Sequence, residues 1–412
     1  MKADIDRLMA AYGLDAIVVL GDETPNTYRD YLTQRARASG IVIKKRNEAG
    51  IFIVGGMEID EAAKSGLIVQ TLHDFDYAAL YDRYGDQPEV FRRELFLNYF
   101  RKLGITGRVG FYGTADISTT LPRILALQGS TPDIEVVIGG ESANLFSRAY
   151  ETKDPHEIEA MREAAALTCE VVKRTWAFIS GHFASREALG SPVVNADGDP
   201  LTIGAVKRFI RLQQAELGLD DPDGCIFAQG RDAGVPHSHG EDSEALQVGR
   251  SIVFDIFPRS IATGYYHDMT RTWCLGRAPE DVQAAYDQVM TIFRDAVAAL
   301  KAGEPASRYQ VMTLDYFEAQ GHPTQRSQPG AMEGYVHSLG HGLGLNVHEA
   351  PMLSEKSRHV LAPWNVFTVE PGLYYPDRGF GVRIEDTVYF DGEGNLRTLT
   401  DFSYDLVLPL RG

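Results

Sequence analysis

The feature that most constrains this chain is a single charge inside an apolar run. The segment SIVFDIF at 251–257 has the composition of a buried strand apart from Asp255. A buried carboxylate without a partner is expensive, so Asp255 needs a cation, a proton or several hydrogen-bond donors. Taken alone, the strand favours an Asp that accepts backbone hydrogen bonds or pairs with an Arg. A second acid changes that balance. Residues 264–274 read as the next strand, GYYHDMTRTWC, and a turn over 258–263 makes the pair a hairpin with Asp255 and Asp268 close together. Two carboxylates in one low-dielectric site cannot both ionise cheaply without a cation. A metal is the economical answer, and Arg271 is the competing structural one.

Farther along comes HSLGHGLGLNVHEAP at 337–351. Three of the eleven histidines, His337, His341 and His348, fall within twelve residues, interleaved with glycines that let backbones approach closely. His348-Glu349 does not open a zincin helix, because Met352 stands where a second His is required. Then TVEPG and GVRIED place Glu370 and Glu385 in apolar strand surroundings, within strands expected over 366–375 and 382–390. The structural alternative for Glu385 is a salt bridge to Arg383, which strand alternation puts on the same face. Four carboxylates would repel strongly, and two divalent cations cancel them. The oxygen-rich set suits Mn²⁺ over a structural Zn²⁺, with Co²⁺ or Zn²⁺ possible by availability.

The rest of the chain sets the frame. Its 412 residues point to two domains. Residues 1–150 alternate helical and strand patterns, with strands expected at 16–21, 40–43, 50–54, 108–112 and 135–138, the last ending at Gly139-Gly140, and a helix over 90–103. That alternation argues an α/β domain. A capping-box start, Asp154-Pro155-His156-Glu157, opens the second domain, 151–412. Further helices are expected over 203–217, 281–300 and 307–320. No Walker loop, dinucleotide fingerprint or Gly-x-Ser-x-Gly elbow is present. A net charge of −17 disfavours nucleic acid and anionic membranes as partners. Three scattered cysteines argue against a disulfide framework, and the start Met1 to Arg7 lacks a secretory apolar segment. No apolar run approaches a membrane span. A cytoplasmic protein is the expectation.

The order Asp, Asp, His, Glu, Glu within DIFPR, HDMTRT, HSLGHGLGLNVHEAP, TVEPGLY and GVRIEDT resembles the pita-bread metallopeptidases, which include aminopeptidase P, prolidase and methionine aminopeptidase. Five motifs in the right order are specific. The leading 150 residues are similar to the creatinase/prolidase N-terminal domain, and the capped helix at Asp154 resembles the start of the α+β pita-bread catalytic domain. The resemblance implies that Asp255 chelates one metal, Asp268 and Glu385 bridge two, and His341 and Glu370 ligate the other. His237, in VPHSH with His239 as a substitute, would match the upstream histidine, and His337, His348 and Arg383 the substrate-facing groups.

It further implies hydrolysis of a Xaa-Pro bond at the N-terminus of short proline-containing peptides. Glu370 would take the proton of a metal-activated water, and His348 would stabilise the tetrahedral intermediate, with His237 and His337 lining the site. A homodimer is expected on the same ground. Between the two family activities, the stretch Glu355, Lys356, Arg358 offers no alignable arginine for a dipeptide's carboxylate. That favours a Xaa-Pro aminopeptidase, with Xaa-Pro dipeptidase (prolidase) as the alternative. A non-catalytic peptide-binding module or a metal-free creatinase would have lost ligands, and the set is intact.

Overall fold

A computed structural model describes residues 4–21, 26–138 and 144–411. The expected stop at Gly139-Gly140 and the first three residues of the N-terminal segment lie outside them. The chain divides into two compact units, Met1–Ala149 and Tyr150–Gly412.

The first unit is built on a six-stranded mixed sheet. Its strands are β1 (Ala16–Leu20), β2 (Gly40–Lys45), β3 (Ile51–Val54), β4 (Ile68–Thr71), β5 (Gly107–Gly113) and β6 (Ile134–Val137), in the order β4-β3-β2-β1-β5-β6. The central strand β1 is buried along its whole length, as its unbroken apolar run AIVVL requires. It runs antiparallel to β2 and parallel to β5. The helix Pro88–Leu103 starts on a proline and stops at Gly104, whose φ of 60° is the left-handed conformation glycine accepts most readily. Its Phe96 and Phe100 pack in the same core as Val18 and Val109. Strand β4 and the helices Thr27–Thr33, Tyr77–Tyr84 and Ile117–Ser130 went unread in the sequence, the last because Pro122 lies inside it.

The second unit opens with the helix Pro155–Ser180. Its capping box is formed in both directions between Asp154 and Glu157, with the Asp154 N–H donating to Glu157 Oε2 at 2.6 Å. Three more helices follow, Ile203–Glu216, Glu280–Ala299 and Ser307–Ala319, within a few residues of expectation. The strands that position the site are β7 (Ile226–Gln229), β8 (Ser251–Ile256), β9 (Met269–Leu275), β10 (Gly340–Gly342), β11 (Glu349–Leu353), β12 (Val366–Val369), β13 (Gly372–Tyr375), β14 (Phe380–Arg383) and β15 (Asp386–Phe390). β7, β8 and β9 form an antiparallel ladder, and β11, β10, β12 and β15 form a second one. β13 and β14 pair as a separate ribbon. Among the described residues, no helix is long and apolar enough to cross a membrane.

Three strands differ from expectation. The segment 264–274 is a continuous strand only from Met269 onwards, with Tyr266 before it in an isolated bridge to Arg259. The single strands expected over 366–375 and 382–390 are each broken in two, at Glu370-Pro371 and at Ile384-Glu385. Pro371 has no N–H for a ladder. The breaks leave Glu370 and Glu385 at strand ends, where the chain turns between sheets.

Candidate metal centre

The hairpin of β8 and β9 pairs Asp255 with Thr270 and Ile256 with Met269, so Asp268 lies just past the last paired residue. Thr270 also bridges to Glu385, exchanging backbone hydrogen bonds of 3.3 and 3.1 Å. Residues paired across neighbouring strands share a face. Asp255, Thr270 and Glu385 therefore form one row, and the Thr270 hydroxyl donates to Glu385 Oε2 at 2.8 Å. Arg271, one residue on, points to the opposite face. It ion-pairs with Asp386 at 2.9 Å and donates to the carbonyls of Phe402 and Ser403. The proposed competition between Arg271 and a metal for Asp255 and Asp268 thus does not arise.

His341 is carried by β10, squeezed between β11 and β12. A Cβ at Gly340 would lie 2.0 Å from the Thr368 carbonyl oxygen, and one at Gly342 would lie 2.2 Å from that of Ala350. Only glycine at these two positions lets the three backbones close on the histidine. His341 Nε2 reaches to 3.7 Å from Asp268 Oδ2 and 3.6 Å from Glu370 Oε1. Ligand atoms of Asp268, His341 and Glu385 all lie within 4.8 Å of one another, in a geometry that can hold a cation. Asp255, Asp268, His341, Glu370 and Glu385 line one cavity of about 630 Å³, together with His237, His239, His337, His348 and Arg383.

The electrostatics of this cluster are unbalanced. Arg383 ion-pairs with Asp255, so the expected salt bridge to Glu385 goes to another acid. The other guanidinium donors go to Thr270 Oγ1 at 3.0 Å, to the Tyr374 hydroxyl at 2.9 Å and to the Pro236 carbonyl at 3.4 Å. That leaves Asp268, Glu370 and Glu385 without a protein cation of their own. Burial, followed by the neighbouring carboxylates, holds Asp268 and Glu370 well above the usual carboxylate range, and burial pushes Glu385 up to about 8. One oxygen each of Asp255, Asp268 and Glu385 is buried with no hydrogen-bond partner. Buried carboxylate oxygens are seldom left unmatched. Three of them around one cavity fit divalent cations. Burial pushes His341 down to about 3, so its imidazole is neutral and its Nε2 lone pair is available to a metal.

The site also contains residues the sequence reading did not single out. Thr270 orients Glu385. Tyr374 meets Arg383 and His337 across 9 and 37 sequence positions, and nothing local marks it. Glu349, directly after His348, forms a buried ion pair with Lys153 at 2.7 Å. His239 Nδ1 is turned to the Cys225 carbonyl at 3.2 Å, while no such partner holds His237 among the described residues.

Residues 159–391, more than half of the chain, match the model of metallopeptidase family M24. The uncharacterized peptidase YqhT of Bacillus subtilis is 26% identical over 413 residues, covering 97% of this chain and 98% of that protein. The Xaa-Pro dipeptidase of Pyrococcus furiosus is 33% identical over 192 residues, 47% of this chain and 51% of that protein. Among solved structures, a Xaa-Pro dipeptidase from Bacillus anthracis has a TM-score of 0.75 at 23% identity and covers 99% of both chains. That likeness carries the architecture, an α/β N-terminal domain followed by an α+β pita-bread catalytic domain. With its acid-rich buried cluster compatible with divalent metal ions, the chain belongs to metallopeptidase family M24.

Proposed function

We propose that the chain is a dinuclear-metal Xaa-Pro dipeptidase. The observation that carries the metal centre is the set of three orphaned buried carboxylate oxygens around one cavity. The dipeptidase reading draws on the names of its relatives and reverses the sequence preference for an aminopeptidase. In this reading Asp255, Asp268, His341, Glu370 and Glu385 would together hold the two cations. When bound, two divalent cations act as Lewis acids and bring the pKa of a water towards neutrality.

The chain's own residues then do the following. Glu370 Oε accepts the water's proton and later delivers it to the departing proline nitrogen. His348, with no hydrogen-bond partner among the described residues, donates to the carbonyl oxygen as negative charge develops there. Arg383 holds Asp255 in place through their buried ion pair. A Xaa-Pro bond has no N–H, so the proline is read by shape, against the apolar wall of Ile226, Phe257, Val347 and Met352.

One observation favours the second reading, a Xaa-Pro aminopeptidase. No lysine is among the described lining residues, and the one arginine, Arg383, is committed to Asp255. A dipeptide's carboxylate therefore finds no free cation there. Product analysis after Mn²⁺ loading separates the two, with a Xaa-Pro dipeptide and a Xaa-Pro-Xaa tripeptide offered side by side. Cleavage of the dipeptide supports the proposal. Release of the first residue from the tripeptide alone establishes the second reading, and cleavage of neither by metal-loaded protein rejects both.

A further inference from the structure

His337 lines the cavity, yet both of its ring nitrogens have partners. Nδ1 lies 2.7 Å from the Ser338 carbonyl oxygen, with Glu370 Oε2 beyond hydrogen-bond range at 3.9 Å, and Nε2 lies 2.9 Å from the Tyr374 hydroxyl. A carbonyl can only accept, so Nδ1 carries a proton. The Tyr374 oxygen receives an N–H from Arg383 at 2.9 Å, and a guanidinium can only donate. The single phenolic proton is therefore left for His337 Nε2, which must accept it. Tyr374 is fully buried, and no other partner of its hydroxyl is present among the described residues. The chain of donors is closed in one direction only, from Arg383 through Tyr374 and His337 to Ser338.

His348 and His237 differ from it. Both line the same cavity, and neither has a ring nitrogen engaged by the described residues. We propose that Tyr374 is a positioning residue that fixes His337 as its neutral Nδ1–H tautomer. His337 then faces the substrate as a rigid ring wall, and hydrogen bonding to the scissile carbonyl falls to His348 and His237. This assignment rests on the peptidase reading of the cavity, but the tautomer itself does not.

The test is the two-bond ¹H–¹⁵N spectrum of the full chain, labelled with ¹⁵N-histidine and loaded with diamagnetic Zn²⁺. The His337 signal is assigned by its loss in His337→Asn. The expected result is a protonated Nδ1 and an unprotonated Nε2 at neutral pH. In Tyr374→Phe the Nε2 resonance should move, with KM for the cleaved peptide up about tenfold and kcat within about twofold. A His337 protonated on Nε2 overturns the proposal, and so does a spectrum unchanged by Tyr374→Phe. If that variant does not fold, the wild-type spectrum still decides. A wild type that shows the expected tautomer yet cleaves no peptide supports the lock and rejects the function alone.

Discussion

The buried pair Lys153–Glu349 makes a quantitative test of how the segment after His348 is held. Both side chains are 3% exposed and 2.7 Å apart. Lys153 also donates to the Tyr150 carbonyl, and Glu349 accepts the backbone N–H and the side-chain amide of Asn346 at 2.9 and 3.0 Å. There is no slack around them, since a Cβ at Gly344 would lie 2.5 Å from Glu349 Oε2. Lys153→Met fits the space and leaves the carboxylate buried without its cation. Removing one partner of such a pair costs about 3–5 kcal/mol. The two Asn346 donors remain, so the low end applies, and about 3 kcal/mol is roughly a hundredfold in the folding equilibrium. Adding Glu349→Gln removes the stranded charge and keeps an acceptor for Asn346, so the double variant should recover at least half of the loss. Urea unfolding followed by tryptophan fluorescence is the assay. Trp176, Trp273 and Trp364 are all the tryptophans, and all lie in the second unit, so the signal reports that unit alone. A single-variant loss below about 1 kcal/mol, the range of exposed pairs, would refute the reasoning. So would a double variant as unstable as the sum of the two singles.

Other outcomes follow from the same geometry. Glu370→Gln should still bind metal and lose about 10²- to 10⁴-fold in kcat, measured by steady-state turnover on the cleaved peptide. Full activity would remove it as the base. In metal-free protein Glu385 has a folded pKa of about 8, above its unfolded value near 4.5, so the folded state binds the extra proton. Its contribution is complete below pH about 4.5 and is lost as pH rises through 8, so metal-free protein should melt at a lower temperature at pH 8.5 than at pH 6.5. An equal or higher melting temperature at pH 8.5 would count against that burial. Divalent cation at about 100 times its Kd should stabilise the fold by about 2.7 kcal/mol, read as a rise in Tm by calorimetry.

Much of the candidate site was legible because its chemistry is local. Asp255 stands out as one charge in SIVFDIF, and His341 lies between two glycines that admit no side chain. What could not be read was set by contacts distant in sequence. Lys153 and Glu349 meet across 196 positions. The side chosen by Arg383, Asp255 over Glu385, depends on where β14 ends. The apolar runs over 366–375 and 382–390 carried no mark of their breaks except Pro371, and those breaks are what bring Glu370 and Glu385 to the cavity. In the first unit the short helices lack a long periodic face, so their patterns blurred into loops.

On the proposed reading, Asp255, Asp268, His341, Glu370 and Glu385 hold two divalent cations. Equilibrium dialysis against Mn²⁺ with elemental analysis tests it most directly, on wild type and on Asp268→Asn. Two ions per chain are expected in the wild type and at most one in the variant, with both proteins folded by circular dichroism. A wild type that binds none, or a variant that still binds two, would contradict it.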